Sequence, residues 1–243
     1  MSPLTSIAAP LLSVRNVAKS FTMHLRGGLN LPVVAGVSFD LHAGECAVLG
    51  GPSGVGKSSI LRMVYGNYAL DQGQILVRDT ATGLVEDLGS GDPRLILQMR
   101  RRSIGYVSQF LRAVPRVSAL DIVAEPFEAD GAGKDAAKAL AAAMLSRLNL
   151  PPALFDLPPA TFSGGEKQRV NIARGFASTH SILLLDEPTA SLDAANRDVV
   201  VAMIEEKLSK GVAILGIFHD EEVRERVATR TIDVTAFSAR RAA

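Results

Sequence analysis

The sequence predicts an α/β fold organised around a mainly parallel sheet. Short apolar runs rich in valine, isoleucine and leucine alternate with helical patterns, as in proteins built from successive strand–helix units. A glycine-rich loop, Gly50 to Ser59, joins one apolar run to a helical segment. The chain has 243 residues, which is long enough to bury a substantial core in one large domain or two small ones.

The composition is that of a globular protein and excludes several other classes. Hydrophobic residues make up 47% of the chain and charged residues 21%, and no apolar run reaches the roughly 18 residues of a membrane span. The formal net charge of +1 gives no basic field for nucleic acid, and a single cysteine, Cys46, excludes a disulfide framework. We therefore expect a cytoplasmic protein with no direct membrane insertion and no nucleic-acid partner.

The first part of the chain predicts strands on both sides of the glycine loop. LLSVRNVAKSF and VVAGVSFDLHAG alternate like antiparallel strands, and CAVLG is a short buried strand that runs into the loop. A helix is expected from about Ser58 to Tyr65, followed by a strand in GQILVRD and a loop or hairpin in TATGLVEDLGSGDP. Pro93 is expected to begin a short helix in PRLILQMRR.

The second part predicts a helical insert within this strand-rich frame. SIGYVSQF reads as a strand, and the pattern is helical from about Leu111 to Thr179, most clearly in the alanine-rich DAAKALAAAMLSRLNL. SILLLDEP and GVAILGIF predict buried strands on either side of the helix AANRDVVVAMIEEKLSK, for which Gly211 fits a C-terminal cap.

The glycine loop has the spacing of a phosphate-binding P-loop, Gly-x-x-x-x-Gly-Lys-Ser/Thr, between a predicted strand and a predicted helix. Lys57 is expected to reach the β and γ phosphates, and the Ser58 hydroxyl to ligate Mg²⁺. The alternative is a glycine turn that happens to precede Lys-Ser, and the flanking elements favour the nucleotide site. The residues predicted to bind nucleotide here are Gly51, Pro52, Ser53, Gly54, Val55, Gly56, Lys57, Ser58 and Ser59.

Two acids follow the buried strand ILLL and complete the predicted nucleotide site. Asp186 is expected to hold Mg²⁺ through water, and Glu187 to polarise an attacking water. The alternative for this Asp-Glu pair is a solvated turn, which the P-loop makes the weaker explanation.

A second glycine motif, Ser163-Gly164-Gly165-Glu166, opens a helical segment. Such a motif is a second candidate phosphate site, or only an N-capped helix in which Ser163 and Glu166 form a capping box. The combination of P-loop, Asp-Glu pair and Ser-Gly-Gly loop resembles the ATP-binding-cassette (ABC) ATPases. In that family two cassettes pack head to tail, and the P-loop of one meets the Ser-Gly-Gly loop of the other at one γ-phosphate. The resemblance implies ATP and Mg²⁺ as cofactors and an ATP-dependent head-to-tail homodimer.

Other positions match the family in the same order, and their roles are implied by the resemblance. Gln109 matches the glutamine that contacts Mg²⁺ and water, and His219 matches the histidine that holds Glu187 and the γ-phosphate. Asp193, in SLD, matches the loop at the dimer interface, and Phe21 matches the aromatic that stacks on adenine, with core packing as its alternative. Gln109, Glu187 and His219 are thus the predicted catalytic residues, and Ser58, Gln109 and Asp186 the predicted metal site.

The resemblance also implies the architecture: a P-loop NTPase with a RecA-like core, an antiparallel β-subdomain and an α-helical subdomain. The core and β-subdomain are expected at residues 1–110 and 180–243, and the helical subdomain at about 111–179, within one ABC ATPase domain spanning 1–243.

Four longer stretches, among them VSQFLRAVPRVSALDIV and GIFHDEEVRERVATR, resemble the PhnL family of ATP-binding subunits in bacterial carbon–phosphorus lyase. That resemblance implies a role in forming α-D-ribose 1-methylphosphonate 5-triphosphate from ATP and an alkylphosphonate. Its partners would be other carbon–phosphorus lyase subunits, including a second ABC subunit.

Three alternatives remain at this stage. The main one is the nucleotide-binding subunit of an ABC membrane transporter, in which FLRAVPRVSALD would face the membrane partner across a groove made basic by Arg112 and Arg116. The others are a P-loop phosphotransferase, which would not need the Ser-Gly-Gly loop or His219, and a nucleic-acid repair cassette, which would usually carry a long insertion.

Overall fold

The computed structural model describes residues 9–23, 28–111 and 115–238. Its strands are β1 (Leu12–Met23), β2 (Leu29–Leu41), β3 (Cys46–Gly50), β4 (Gln72–Arg78), β5 (Val85–Asp87), β6 (Ile104–Val107), β7 (Ile182–Asp186), β8 (Ala213–Ile217) and β9 (Arg230–Asp233). Its α-helices are α1 (Lys57–Val64), α2 (Pro93–Arg102), α3 (Ala119–Ala129), α4 (Lys134–Arg147), α5 (Gly164–Ala177), α6 (Ala194–Ser209) and α7 (Glu221–Val227).

A parallel sheet forms the centre of the molecule, in the strand order β6-β7-β8-β3-β9. Each neighbouring pair runs parallel. All five residues of β7 and all five of β8 are buried, because helices or the second sheet cover both faces. The α/β fold predicted from the alternating apolar runs is confirmed, and the carboxyl ends of these strands lie at one edge of the sheet.

A second, antiparallel sheet has the order β2-β1-β4-β5. Its strands β1 and β2 are the two alternating segments recognised in the sequence, and they pair antiparallel. The segment predicted as a loop or hairpin contains β5, a three-residue strand that pairs antiparallel with β4. Val33 and Val34 of β2 lie against the glycine loop: a Cβ added to Gly56 would meet Cγ1 of Val34 at 2.8 Å. This sheet therefore forms one wall of the glycine loop.

The helices α3, α4 and α5 pack together beside the parallel sheet. The alanine-rich α4 buries Ala137, Ala141 and Leu145, which are four residues apart and so share one face of the helix. The predicted helical cap is also present. Gly211 has a φ of 83°, and its amide donates to the Leu208 carbonyl at 2.9 Å while the next amide, that of Val212, reaches the Lys207 carbonyl at 3.0 Å.

Two elements near the end of the described chain were not predicted. The helix α7 follows β8, and β9 joins the parallel sheet beside β3. In β9 only Ile232 is buried, since the strand lies at the sheet edge. A four-residue edge strand with one buried side chain lacks the apolar run that marks β7 and β8.

No helix in the described ranges combines the length and the apolar character that crossing a membrane requires.

The contact between α5 and β6 depends on the absence of a side chain at Gly175. A Cβ added there would overlap Cγ2 of Val107, and Val107 is completely buried. This close approach fixes the distance between α5 and the segment that follows β6.

We expect Gly175→Ala to destabilise the protein by about 1–3 kcal/mol through overpacking, although alanine gains about 1 kcal/mol in helix propensity. Urea unfolding followed by circular dichroism measures the change in the free energy of unfolding. Val107→Ala made together with Gly175→Ala should recover part of the loss, because it removes the overlapping methyl group. A Gly175→Ala protein that is as stable as wild type would show that α5 is not held this close to β6.

Candidate active site

The glycine loop after β3 adopts a conformation that only glycine adopts without strain at several positions. Gly51, Gly54 and Gly56 have φ values of 123°, 79° and 108°, in the region that is unfavourable for residues with a Cβ. Gly56 is the N-cap of α1, and no side chain caps this helix. The first amides of α1 are therefore left for a ligand, as in an anion site at a helix N-terminus.

Within this loop, Lys57 is the first residue of α1. Its ammonium group donates to the carbonyls of Gly51 and Pro52 at 2.6 and 2.9 Å. The loop thus wraps around the lysine head group, and in this structure the ammonium is bonded to the loop's own carbonyls. Ser53 is exposed, whereas Val55 and Ser59 are half-buried.

Asp186, the last residue of β7, lies next to the glycine loop. Its side chain is nearly inaccessible, with 2% of the residue exposed. Ser58 Oγ donates to Oδ1 of Asp186 at 3.1 Å, and the Tyr106 hydroxyl donates to Oδ2 at 2.9 Å. Burial, followed by the charge of Asp186, raises the pKa of Tyr106 well above its usual value, so the phenol remains a donor.

The Ser58–Asp186 pair fits a magnesium ion. Mg²⁺ prefers oxygen ligands, and in phosphate sites it is bound through one or two carboxylates together with waters and substrate phosphates. A serine hydroxyl and a buried carboxylate converge here, beside a glycine loop whose helix amides have no cap. Both predicted residues are therefore placed to hold the ion.

Glu187 is the centre of a second cluster. His219 Nε2 lies 2.7 Å from Oε1 of Glu187, and Gln109 Nε2 donates to Oε2 at 3.1 Å. The three predicted catalytic residues follow β7, β8 and β6, which are neighbours in the sheet. The structure brings all three together, and the Gln109 side chain donates to Glu187 rather than to the Ser58–Asp186 pair.

The backbone of Glu187 is strained. Its φ is 54°, a left-handed conformation that costs an L-residue roughly 1–2 kcal/mol. The Glu187 amide donates to the Ile217 carbonyl of β8 at 3.0 Å, which holds this turn at the sheet edge. Strained residues of this kind cluster at functional sites.

The Ser-Gly-Gly loop forms the capping box that the sequence left as an alternative. Ser163 is the N-cap of α5, and both its amide and its hydroxyl donate to Oε2 of Glu166, at 2.7 and 2.8 Å. These bonds lower the pKa of the Glu166 carboxyl, which is therefore ionised at neutral pH. A Cβ on Gly165 would lie 3.0 Å from the Ser191 carbonyl, and one on Gly164 would meet nothing within 4 Å.

The two remaining predicted residues lie on different parts of the surface. Asp193 is the N-cap of α6 and accepts from the Asn196 amide at 2.8 Å, a bond that is the first cause of its lowered pKa. Phe21, on β1, is half-buried and packs edge-on to Tyr68 with ring centres 5.1 Å apart. This packing agrees with the alternative role, and Phe21 also pairs with Leu31 in the sheet that contacts the glycine loop.

Three polar residues that form hydrogen bonds to the site or to the segments beside it were not identified from the sequence. Besides Tyr106, Gln168 Nε2 donates to the Pro188 carbonyl at 3.0 Å, and Asn171 Nδ2 donates to the Ser108 carbonyl at 2.5 Å. These two side chains tie α5 to the segments that carry Glu187 and Gln109. Their spacing in the sequence could have identified them. Gln168 and Asn171 are three residues apart, so they share one side of α5, and both are buried there.

A cleft of about 870 Å³ opens beside Gln109 and Asp186. Gln109, Asp186, Arg62, Arg100 and Arg174 are among the residues that line it. Phe110, which also lines it, is 74% exposed. Arg112, which was predicted to make this region basic, lies outside the described residues.

Comparison with known proteins gives one family. Residues 34–190 match the family model described as ABC transporter. The lipoprotein-releasing system ATP-binding protein LolD of Maricaulis maris (strain MCS10) is 39% identical over 198 residues, covering 81% of this chain and 83% of that protein. LolD of Novosphingobium aromaticivorans (strain ATCC 700278) is 35% identical over 225 residues, with 90% and 93% covered. The dimeric post-hydrolysis structure of the ATP-binding cassette MJ0796 bound to ADP and Pi has a TM-score of 0.80 at 25% identity, covering 92% of this chain and 94% of that one.

These relatives contradict the predicted role in carbon–phosphorus lyase and leave the PhnL resemblance unconfirmed. Five of the similar curated proteins are named as ATP-binding proteins of the lipoprotein-releasing system, which favours the transporter alternative. The stretches that suggested the narrower role contain Gln109, Ser163, Asp186 and His219. These are the positions matched to the ABC family as a whole, so they identify the family better than a pathway.

The fold and the arrangement of Lys57, Asp186, Glu187 and His219 agree with this comparison. The family model covers residues 34–190 of the 243, and a relative is 39% identical over 81% of the chain. The chain therefore belongs to the ABC transporter family, as an ATP-binding domain of that family.

Proposed function

We propose that this chain hydrolyses ATP in a head-to-tail dimer, and that this hydrolysis drives transport by a membrane-embedded permease. The observation that carries the hydrolytic part is the meeting of Glu187, His219 and Gln109 at the ends of three adjacent strands. A carboxylate held at both oxygens by neighbouring side chains, next to a phosphate-binding loop, is arranged to accept a proton from an attacking water.

Each residue has a distinct part in this proposal. Glu187 accepts the proton of the water that attacks the γ-phosphorus, and ADP leaves as the bond from that phosphorus to the bridging oxygen breaks. His219 and Gln109 hold its carboxylate, and donors in this position stabilise the charge that develops on the transferred group. Lys57 and the amides of α1 bind the phosphates. Ser58 and Asp186 would hold Mg²⁺, which would supply positive charge to offset that of the β and γ phosphates.

A second chain is needed to complete the site. The side chain of Ser163 bonds to Glu166 of its own helix, and among the described residues it forms no hydrogen bond to the glycine loop. The MJ0796 cassette, which has a similar fold, is dimeric in its ADP- and Pi-bound structure. We propose that this chain also forms a dimer, arranged head to tail, with Ser163, Gly164 and Gly165 of one protomer facing the nucleotide on the P-loop of its partner.

The transporter role rests on the relatives and on the cleft. The relatives named LolD are ATP-binding proteins of a lipoprotein-releasing system. In this chain Phe110 is 74% exposed at a cleft that also reaches Gln109. An exposed aromatic at the mouth of a cleft is typical of a residue that anchors a partner.

We expect Glu187→Gln to reduce ATP hydrolysis at least about 100-fold, since a general base contributes roughly 10²–10⁴-fold. ATP binding should remain, because the P-loop and the Ser58–Asp186 pair are unchanged. Phosphate release measures hydrolysis. Size-exclusion chromatography with light scattering, in the presence of ATP, measures the molar mass, and the variant should elute as a dimer.

The matched control is Glu205→Gln, which makes the same change at an exposed position of α6 and should leave hydrolysis unchanged. A Glu187→Gln protein that retains wild-type turnover would remove Glu187 as the base. One that stays monomeric with bound ATP would contradict the dimer.

Sharing of each nucleotide between two chains is tested by mixing two inactive variants. Lys57→Ala damages the site on the chain's own P-loop, whereas Ser163→Arg damages the site of its partner. A mixed dimer has one intact site, so an equimolar mixture should recover up to roughly a quarter of wild-type hydrolysis, because half of the dimers are mixed and each has one site of two.

ATP-dependent dimerisation of the mixture provides a second measurement, and each variant alone is the control. If the mixture gains neither hydrolysis nor dimers relative to the separate variants, the two motifs do not act on one nucleotide.

The permease partner is tested by crosslinking in the cells that express the chain. A photocrosslinker in the cleft, in the Glu187→Gln protein, should join it to a protein with membrane-spanning segments, and that protein in nanodiscs should stimulate wild-type hydrolysis. Phe110→Ser should weaken both effects, whereas Leu84→Ser, 60% exposed on the β4–β5 hairpin, should not. Recovery of water-soluble partners alone, without stimulation by a membrane protein, would contradict the transporter role.

A further inference from the structure

We infer that Tyr106 is a positioning residue for the metal site, holding the Asp186 carboxylate in the orientation that faces Ser58. The inference rests on the proposed nucleotide site. It extends that proposal to a residue for which neither the sequence motifs nor the comparisons give a role.

The two oxygens of Asp186 have different partners. Oδ1 accepts from the Ser58 hydroxyl at 3.1 Å, and Oδ2 accepts from the Tyr106 hydroxyl at 2.9 Å. Only 2% of Asp186 is exposed, so bulk water has little access to either oxygen. The phenol therefore occupies the oxygen that does not face Ser58, and it leaves Oδ1 available on the P-loop side.

Orientation matters here because the last torsion of an aspartate side chain is soft. Rotation about the Cβ–Cγ bond has broad minima, so a carboxylate with one partner can turn away from a metal position. Mg²⁺ requires near-ideal octahedral geometry, and residues that orient metal ligands commonly affect metal affinity by about 10–100-fold. A donor on Oδ2 restricts this rotation.

The phenol is itself held in place. Tyr106 lies on β6, two residues beyond the buried Ile104 on the same face. Its ring packs against the ring of Tyr65, with centres 4.9 Å apart and a tilt of 40°. Tyr65 in turn lies under the guanidinium of Arg100, whose carbon is 4.2 Å from the ring centre. The hydroxyl thus projects from a fixed ring rather than from a mobile side chain.

The hydroxyl has no role in this packing. A phenylalanine at position 106 would make the same ring contacts with Tyr65. It would lose the bond to Asp186, together with the interaction between the phenol hydroxyl and the Arg62 side chain. The substitution Tyr106→Phe therefore separates positioning of the carboxylate from filling of the core.

The experiment measures Mn²⁺ binding by electron paramagnetic resonance, in Glu187→Gln protein that is saturated with ATP and cannot turn it over. We expect Tyr106→Phe to weaken Mn²⁺ affinity about tenfold. ATP binding in EDTA should be unchanged, because the P-loop is intact. Competition with Mg²⁺ and Ca²⁺ gives a second readout: Mg²⁺ affinity should fall more than Ca²⁺ affinity, since Ca²⁺ accepts irregular geometry.

Tyr65→Phe is the matched control, because it removes a hydroxyl from the other ring of the pair without touching Asp186. Equal or tighter Mn²⁺ binding in Tyr106→Phe, or the same loss in both variants, would overturn the inference. Unfolding in urea without nucleotide shows whether a loss comes from general destabilisation, which would also overturn it. The Mn²⁺-binding measurement does not require a dimer. A monomeric ATP complex would therefore contradict the proposed dimer, while the effect of Tyr106→Phe on Mn²⁺ affinity could still be interpreted.

Discussion

The parallel direction of strands β3, β6, β7 and β8 is the constraint on which the site depends. In a parallel sheet all carboxyl ends lie at one edge, and ligands bind outside that edge. The glycine loop follows β3, Gln109 follows β6, and His219 follows β8, while Asp186 ends β7. Ser58 and Asp186, 128 positions apart, and Gln109 and Glu187, 78 positions apart, thus meet within hydrogen-bond distance.

The strained turn at Glu187 is a consequence of that convergence. Asp186 and Glu187 are neighbours in sequence, yet Asp186 contacts Ser58 and Tyr106 whereas Glu187 contacts Gln109 and His219. An extended chain already sends neighbouring side chains to opposite faces, but it would carry Glu187 past the sheet edge. A φ of 54° turns the backbone there, and the bond from its amide to β8 offsets part of the cost of about 1–2 kcal/mol.

The sequence predicted most of the fold, because β7 and β8 are continuous apolar runs and α4 is rich in alanine. It missed β9, whose single buried residue, Ile232, gives no pattern. The sequence also predicted correctly which strands the charged groups of the site follow. It could not find Tyr106 or Asn171, because their roles depend on which strand and helix lie beside them. Neighbouring strands in this sheet are far apart in sequence, so periodicity along one segment cannot supply such contacts.

The two glycine motifs differ in how the helices that follow them are capped. Helix α1 begins at Gly56 without a side-chain cap, so its first amides remain for an anion. Helix α5 begins at Ser163, whose hydroxyl and amide are already bonded to the ionised Glu166. An anion arriving at α5 must compete with this carboxylate and meets its negative charge. The glycine loop therefore leaves its helix amides free for phosphate within a single chain, whereas the Ser-Gly-Gly loop is already capped without phosphate. In the proposed dimer, the Ser-Gly-Gly loop would meet a nucleotide that the partner's P-loop already holds in place.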